Sequence, residues 1–290
     1  MLNHILDILV PLFSVILIGY TLGRYKFPWA KKEIGPLILQ VALPCLIIHQ
    51  LANDRANPIQ MLWIMGAAAL VLAIVFAISI VVIRLARMEP RTYLTPSALS
   101  NMSVGIAIGL LGFGNSGLAL CIGYAVVVLI AQFSVAIWCF EGKVTFKPLL
   151  KRGLLWASVV ALIIMFSGLT LPSYIDRSLE FFGHMAIPLL LLSLGFALSE
   201  VKPKGFGKAM VYSGIRLAIF VGASYLATLI LGLTGETRTI VLLLSVLPSS
   251  TINVIMARDA SCDMDKITIY IFCTNIWMAG ALPVAMWLLL

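Results

Sequence analysis

Charge is what this chain lacks. Of its 290 residues 11% are charged, against about a quarter in soluble domains, while 61% are hydrophobic and the mean hydropathy is +1.07. So few charges cannot keep a folded surface in water, which excludes an ordinary soluble domain. Histidine is nearly missing as well, with three copies far apart. No H-E-x-x-H, G-x-S-x-G or G-x-x-x-x-G-K-[ST] run occurs. Zinc-protease, nucleophile-elbow and phosphate-loop chemistry are therefore not read, no catalytic residue is assigned, and no cofactor or metal is called for. The five cysteines (Cys45, Cys121, Cys139, Cys262, Cys273) form no C-x-x-C pair and lie mostly inside apolar runs, where they read as small buried side chains.

What is present is apolar sequence in membrane-sized lengths. Charge-poor stretches near twenty residues long, enough to cross roughly 30 Å of hydrocarbon, fall at 5–23, 34–53, 59–83, 95–112, 116–140, 154–171, 180–199, 209–233, 238–257 and 267–290. The sequence predicts an all-α integral membrane protein of ten transmembrane helices with no soluble domain. Residues 1–23 carry no Lys or Arg ahead of the apolar run and basic residues follow it at once, so they are read as a retained first helix rather than a signal peptide.

The net charge of +8 belongs to topology and not to nucleic acid. Sixteen of the 20 basic residues sit in the connections after helices one, three, five, seven and nine. The other connections hold Arg55, Arg177 and Arg238, and Arg216 lies inside the eighth span. The positive-inside rule then puts both termini outside the cytoplasm of a cell (inner) membrane, multi-pass protein.

The halves resemble each other. Gly19-Tyr20-Thr21-Leu22 answers to Gly168-Leu169-Thr170-Leu171, and Ala42-Leu43-Pro44 to Ala186-Ile187-Pro188. Five helices per half force opposite orientation, so the arrangement reads as a 5+5 inverted repeat. It divides into residues 1–140, a basic cytoplasmic connection at 141–153, and residues 154–290.

Two runs inside these spans break the pattern. Leu99-Ser-Asn-Met-Ser-Val-Gly105 and Leu247-Pro-Ser-Ser-Thr-Ile-Asn253 put helix breakers and uncharged polar side chains at membrane depth. Irregular backbone there is tolerated only where protein or a water-filled cavity satisfies it, so such runs mark binding sites. Pro248 removes a backbone donor, and Ser249, Ser250, Thr251 and Asn253 offer hydroxyl and amide groups beside the freed backbone. In the fourth span Ser100, Asn101, Ser103 and Gly105 cluster similarly. If the breaks meet, half-helix N-termini converge on one point and favour an anionic group. Ser and Thr bonding their own helix, and Gly packing helices, are the competing reading. Pro44 and Pro188 are expected to kink spans two and seven against the broken pair. Arg216, near Lys208, is read as snorkelling to the cytoplasmic interface in preference to a functional role. Asp7, His49 and His184 are expected at the outer interface, and Asp263 and Asp265 in a solvated loop.

These features resemble the auxin efflux carrier family, which includes bacterial malonate and malate permeases and the plant PIN-FORMED carriers. The resemblance rests on the five-plus-five plan, the Ala-Leu-Pro-Cys-Leu-Ile run at 42–47, Ser100-Asn101, and the run from Pro248 through Asn253 to Ala257. It implies a fold of the bile-acid-symporter and sodium/proton-antiporter type, with a scaffold of helices one, two, six and seven. The remaining helices would carry substrate at the crossing of helices four and nine by an elevator-like displacement. By the same likeness Asn101 is the polar residue of the first break and Pro248 the crossover proline of the second. The chain departs from the family pattern at Ile106-Ala107-Ile108-Gly109, where a proline is usual, and it lacks the plant carriers' long loop.

The functional expectation is a secondary or facilitative transporter of a small organic anion, a mono- or dicarboxylate, with Ser100, Asn101, Ser103, Gly105, Pro248, Ser249, Ser250, Thr251 and Asn253 as the substrate site. The alternatives are a sodium- or proton-coupled symporter of a larger amphipathic anion, or a channel or membrane sensor. The expected partners are the organic anion and the lipid bilayer, with no nucleic acid; both a monomer and a homodimer are compatible with the sequence.

Overall fold

The computed structural model describes residues 2–27, 31–53, 58–141, 153–200, 206–259 and 263–290. The helices are α1 (Leu2–Arg24), α2 (Lys31–Leu37), α3 (Leu43–Asn53), α4 (Pro58–Leu85), α5 (Pro90–Ala98), α6 (Met102–Glu141), α7 (Gly153–Ser167), α8 (Ser173–Gly183), α9 (Ala186–Ser199), α10 (Phe206–Ile230), α11 (Gly235–Leu244), α12 (Ile252–Asp259) and α13 (Met264–Leu289). A π-helical turn at Ile38–Ala42 joins α2 to α3. Among the described residues the fold is all-α, and its strand-like pairing is one isolated bridge. An apolar chain with no water to bond must satisfy its backbone internally, and the helix does so. Among the described residues seven helical stretches are long and apolar enough to cross a membrane: α1, α4, α6, α10 and α13 singly, Ile34–Asn53 through the π turn, and Ser173–Ser199 across α8 and α9; α7 is apolar over 15 residues.

Several boundaries differ from the sequence reading for identifiable reasons. The fourth apolar run begins earlier, as α5, because Pro90 supplies an N-terminal start. The expected gap after residue 112 shrinks to one residue, Gly114, at φ 66° and ψ −148°, a conformation that favours glycine. There α6 folds back on itself, and a Cβ at Gly109 would meet the Gly117 carbonyl and Cys121 across the hairpin. Helix α8 starts ahead of the predicted 180 because Ser173 to Glu180 is amphipathic rather than apolar, so a hydropathy reading enters it late. The connection at 142–152, Arg55, Cys262 and the Arg258 and Asp259 side chains lie outside the described residues.

Close glycine contacts set the packing. Gly19 of α1 faces the Leu192 backbone of α9, Gly195 faces the Ile16 carbonyl, and Gly23 faces Ser199. The contacts climb from Gly19 with Leu192 through Tyr20 with Gly195 to Gly23 with Ser199, so α1 and α9 run parallel, with small residues allowing the backbones to approach. Gly183 against Leu46, and His49 against Asp176, make α3 and α8 antiparallel. Helix α3 also packs on α7. The paired motifs divide here: Leu43-Pro44 and Ile187-Pro188 both open a helix just after an irregularity, the π turn in one case and the α8–α9 break in the other. Gly19 and Gly168 differ, the first buried in a helix contact and the second at φ 67° just past the end of α7.

A continuous apolar core runs through the bundle, including Leu12, Ile64, Leu99, Ile108, Ile122 and Leu247. The outer faces are apolar too: Val10, Leu17, Leu62, Val81, Val160, Val211, Leu226 and Trp287 are exposed. Such continuous apolar surface suits lipid and not water.

Candidate functional site

The two polar breaks meet. Ser100 and Ser249 form an antiparallel bridge, flanked by Asn101 N donating to the Pro248 carbonyl at 2.8 Å and Ser250 N donating to the Leu99 carbonyl at 3.0 Å. Each break thus fills backbone groups that the other leaves open, which is how irregular chain survives inside the core. The local causes differ. Ahead of the second break α11 tightens, with Ser245, Val246 and Leu247 N–H groups reaching carbonyls three residues back. The Leu244 carbonyl, deprived of a donor at Pro248, accepts from Leu247 N at 3.3 Å. In the first break Leu99 turns extended (φ −110°, ψ 125°), three residues after Pro96.

Asn101 is the N-cap of α6: its Oδ1 accepts from Ser103 N at 3.0 Å. Asn253, at the start of α12, is fully buried and its Oδ1 accepts from Gln132 Nε2 at 2.9 Å. Ser249 N donates to Thr274 Oγ1 of α13 at 3.0 Å. Ser103 and Thr251 are half-buried beside these groups. Gly105 serves close packing, since a Cβ there would press on Leu244 and Leu247. Pro188 lines a cavity described below, and Pro44 follows the π turn, which spares its ring the clash an α-helical turn would impose.

Arg216 corrects the snorkelling expectation. It is 3% exposed, and its guanidinium donates to the Leu247 carbonyl (2.9 Å) and to Ser100 Oγ (3.0 Å), with its carbon 4.3 Å from the Phe220 ring centre. The side chain therefore ties both breaks together. Gln132 and Thr274 also line the crossing without having been singled out. Gln132, a lone amide in a long apolar run, was the available signal.

Five buried polar atoms in this network have no hydrogen-bond partner among the described residues: Asn101 Nδ2, Asn253 Nδ2, Arg216 Nε, Ser249 Oγ and Gln132 Oε1. Three of them are obligate donors. Buried groups left so are costly, by about 1–3 kcal/mol each, and invite a ligand rich in acceptors. The N-termini of α6 and α12 add positive ends, and no Asp or Glu lies within the two breaks.

A cavity of about 500 Å³ lies apart from the crossing, between α1, α3, α6, α8 and α9. Leu110, Leu191 and Pro188 wall it, and His49, Asn115 and His184 line its polar end. His49 is not simply solvated: its Nδ1 is 2.7 Å from Asp176 Oδ1, which also accepts from Asn53. Gln50 Nε2 donates to the Asn115 carbonyl beside the Gly114 turn at 3.0 Å. His184 is exposed and 4.0 Å from Glu180, and Asp7 is exposed. Outside the apolar segments, Asp263 caps α13 through Lys266 N and pairs with Lys266 Nζ at 2.7 Å, bonds that hold its carboxyl below the usual carboxylate range.

A bundle of apolar helices whose polar centre is a buried crossing of two broken segments is the architecture of a membrane carrier. The family described as membrane transport protein matches residues 4–145 and 137–287, and the chain belongs to it. This is an auxin efflux carrier-like transport family, in keeping with the resemblance read in the sequence. An uncharacterized transporter of Methanocaldococcus jannaschii is 22% identical over 303 residues, spanning 97% of each chain.

Proposed function

We propose that the protein carries a small organic anion, with a carboxylate held where the two breaks cross. The observation behind this reading is the set of unpartnered donors, Asn101 Nδ2, Asn253 Nδ2 and Arg216 Nε, at a buried crossing free of carboxylates in its breaks. Two amide donors and two helix N-termini match the acceptor geometry of a carboxylate. The fold supports a ten-span, 5+5 reading: α5–α6 and α11–α12 are the broken fourth and ninth spans, and Gly114 separates the fourth from the fifth. Helices α1, α3, α7 and α9 pack as the scaffold, and the crossing moves against it between two faces of the membrane. Grouped helix ends support the charge-derived topology. Gln50, Asn115, Ser116, Glu236 and Asp176 gather at the outer end, whereas Tyr93 and Lys266 share the basic, cytoplasmic end.

The 500 Å³ cavity supports a second reading, a coupled symporter of a larger amphipathic anion, since its apolar wall would suit a bulky organic body. Reconstituted liposomes separate the two. Saturable uptake of labelled malonate, malate or an indole carboxylate, driven by voltage and indifferent to sodium, is expected. Asn101→Asp and Asn253→Asp keep each Oδ1 acceptor and replace the donor by an anion, so the folded variants should lose uptake. Undiminished uptake in both would overturn the site.

A further inference from the structure

We infer that Arg216 is the fixed counter-charge of the transported anion, so that the crossing is singly positive when empty and neutral when loaded. The inference rests on the anion-carrier reading above and adds to it the charge of the substrate and the step that voltage controls.

The argument begins with the helix ends. Two N-termini (α6, α12) and two C-termini (α5, α11) converge at the bridge of Ser100 with Ser249. Each end carries roughly half an elementary charge, positive at N-termini and negative at C-termini, so the four cancel approximately. Arg216 adds one permanent positive charge, and guanidinium does not deprotonate in proteins. Its partners are neutral: the Leu247 carbonyl of the second break, the Ser100 hydroxyl and the Phe220 ring. Among the described residues Arg216 makes no ion pair. A buried charge of this kind is expensive unless paired, and Nε remains unpartnered. Gln132, Asn101, Asn253 and Thr274, which contact or form the crossing, are all uncharged.

Placement within the fold decides what moves. Arg216 stands on α10, which packs on α4, α11 and α13 and bonds directly to both breaks. It therefore travels with the crossing. A singly charged carboxylate cancels it, and a dianion leaves an excess negative charge in the apolar interior. The site selects monoanions, and dicarboxylates enter in the half-protonated form.

The consequence is a division between two kinds of flux. Exchange of labelled for unlabelled substrate cycles only the loaded, neutral crossing and is indifferent to voltage. Net uptake requires the empty crossing to return, carrying one positive charge through the field, and accelerates when the vesicle interior is positive. A charge crossing the whole field changes an equilibrium roughly fiftyfold per 100 mV. Replacing Arg216 by Gln reverses the pattern, because the loaded crossing becomes negative and the empty one neutral.

The test measures an indole carboxylate in proteoliposomes, as exchange and as net uptake, with potassium and valinomycin setting the voltage. Wild type should show voltage-independent exchange and voltage-dependent net uptake. R216Q should show voltage-dependent exchange, and R216K, which keeps the charge, should behave as wild type at reduced affinity. Voltage-dependent exchange in wild type, or unchanged voltage dependence in a transporting R216Q, would overturn the counter-charge. If R216Q does not fold, wild type and R216K decide. Absence of carboxylate uptake in folded wild type would instead defeat the anion-carrier reading.

Discussion

Asn101 does two jobs with one amide. Its oxygen caps α6 through Ser103 N, and its nitrogen stays free at the crossing. The jobs separate by mutation. Asn101→Ala should lose the cap, at a cost of about 1 kcal/mol, and lower the thermal midpoint in detergent. Asn101→Asp should leave the midpoint near wild type while weakening anion binding roughly 10- to 100-fold, the equivalent of about 1.5–3 kcal/mol for a charge-assisted bond. Equal losses of stability in the two variants would show that the nitrogen is not free for a ligand. At this scale the sequence was legible where a residue type is locally unusual: Pro248, the serines and both asparagines stand out in apolar runs. Arg216 was misread because its distance from Lys208 along the chain says nothing about which way it faces. Only the packing of α10 turns it inward to Ser100 and Leu247.

Among the elements, α1 and α9 depend on their glycines. A Cβ at Gly195 would overlap the Ile16 carbonyl, and one at Gly19 the Leu192 carbonyl, so backbone rather than a side-chain tip must move. Gly195→Val should cost about 1–3 kcal/mol or more and reduce the yield of folded protein, whereas the same change at Gly222, where nothing lies within 4 Å, should be tolerated. A second element-scale prediction concerns α13. Asp263 has its carboxyl held down by Lys266, with side-chain and backbone hydrogen bonds the larger causes. A depressed carboxylate stabilises above its unfolded value, and the stability is lost as pH falls through the folded one. Asp263→Asn should therefore flatten stability against pH at the acid end, below the ordinary carboxylate range, and leave it unchanged near neutrality within the modest worth of an exposed pair. The positions of the long helices were readable from apolar length. Their ends were not where amphipathy begins, as at Ser173, or where one glycine turns the chain, as at Gly114.

At the scale of the molecule, the pairing of residues 99–101 with 248–250 is what the sequence could not display. Each break was visible alone, from its own proline or polar cluster, but a bridge between segments so distant in the chain has no local signature. Opposite orientation of the halves, proposed from helix parity and basic loops, has its own check. Single cysteines at Asn3 and at Leu289 in a cysteine-free background should both be labelled by an impermeant maleimide from outside intact cells. A cysteine at Arg87 should be labelled only after permeabilisation. Labelling of the Asn3 and Leu289 cysteines on opposite sides would break the five-plus-five arrangement.

The central claim, that the crossing of the two breaks holds the transported anion, is tested most directly by binding. Purified protein in nanodiscs should be titrated calorimetrically with malonate, malate and an indole carboxylate, alongside Asn101→Asp and Asn253→Asp of matched stability. The account predicts saturable binding of one of these anions to wild type and affinity lowered roughly tenfold or more in both variants. Binding of equal affinity in both variants would contradict it, moving the site to the cavity lined by His49 and Pro188.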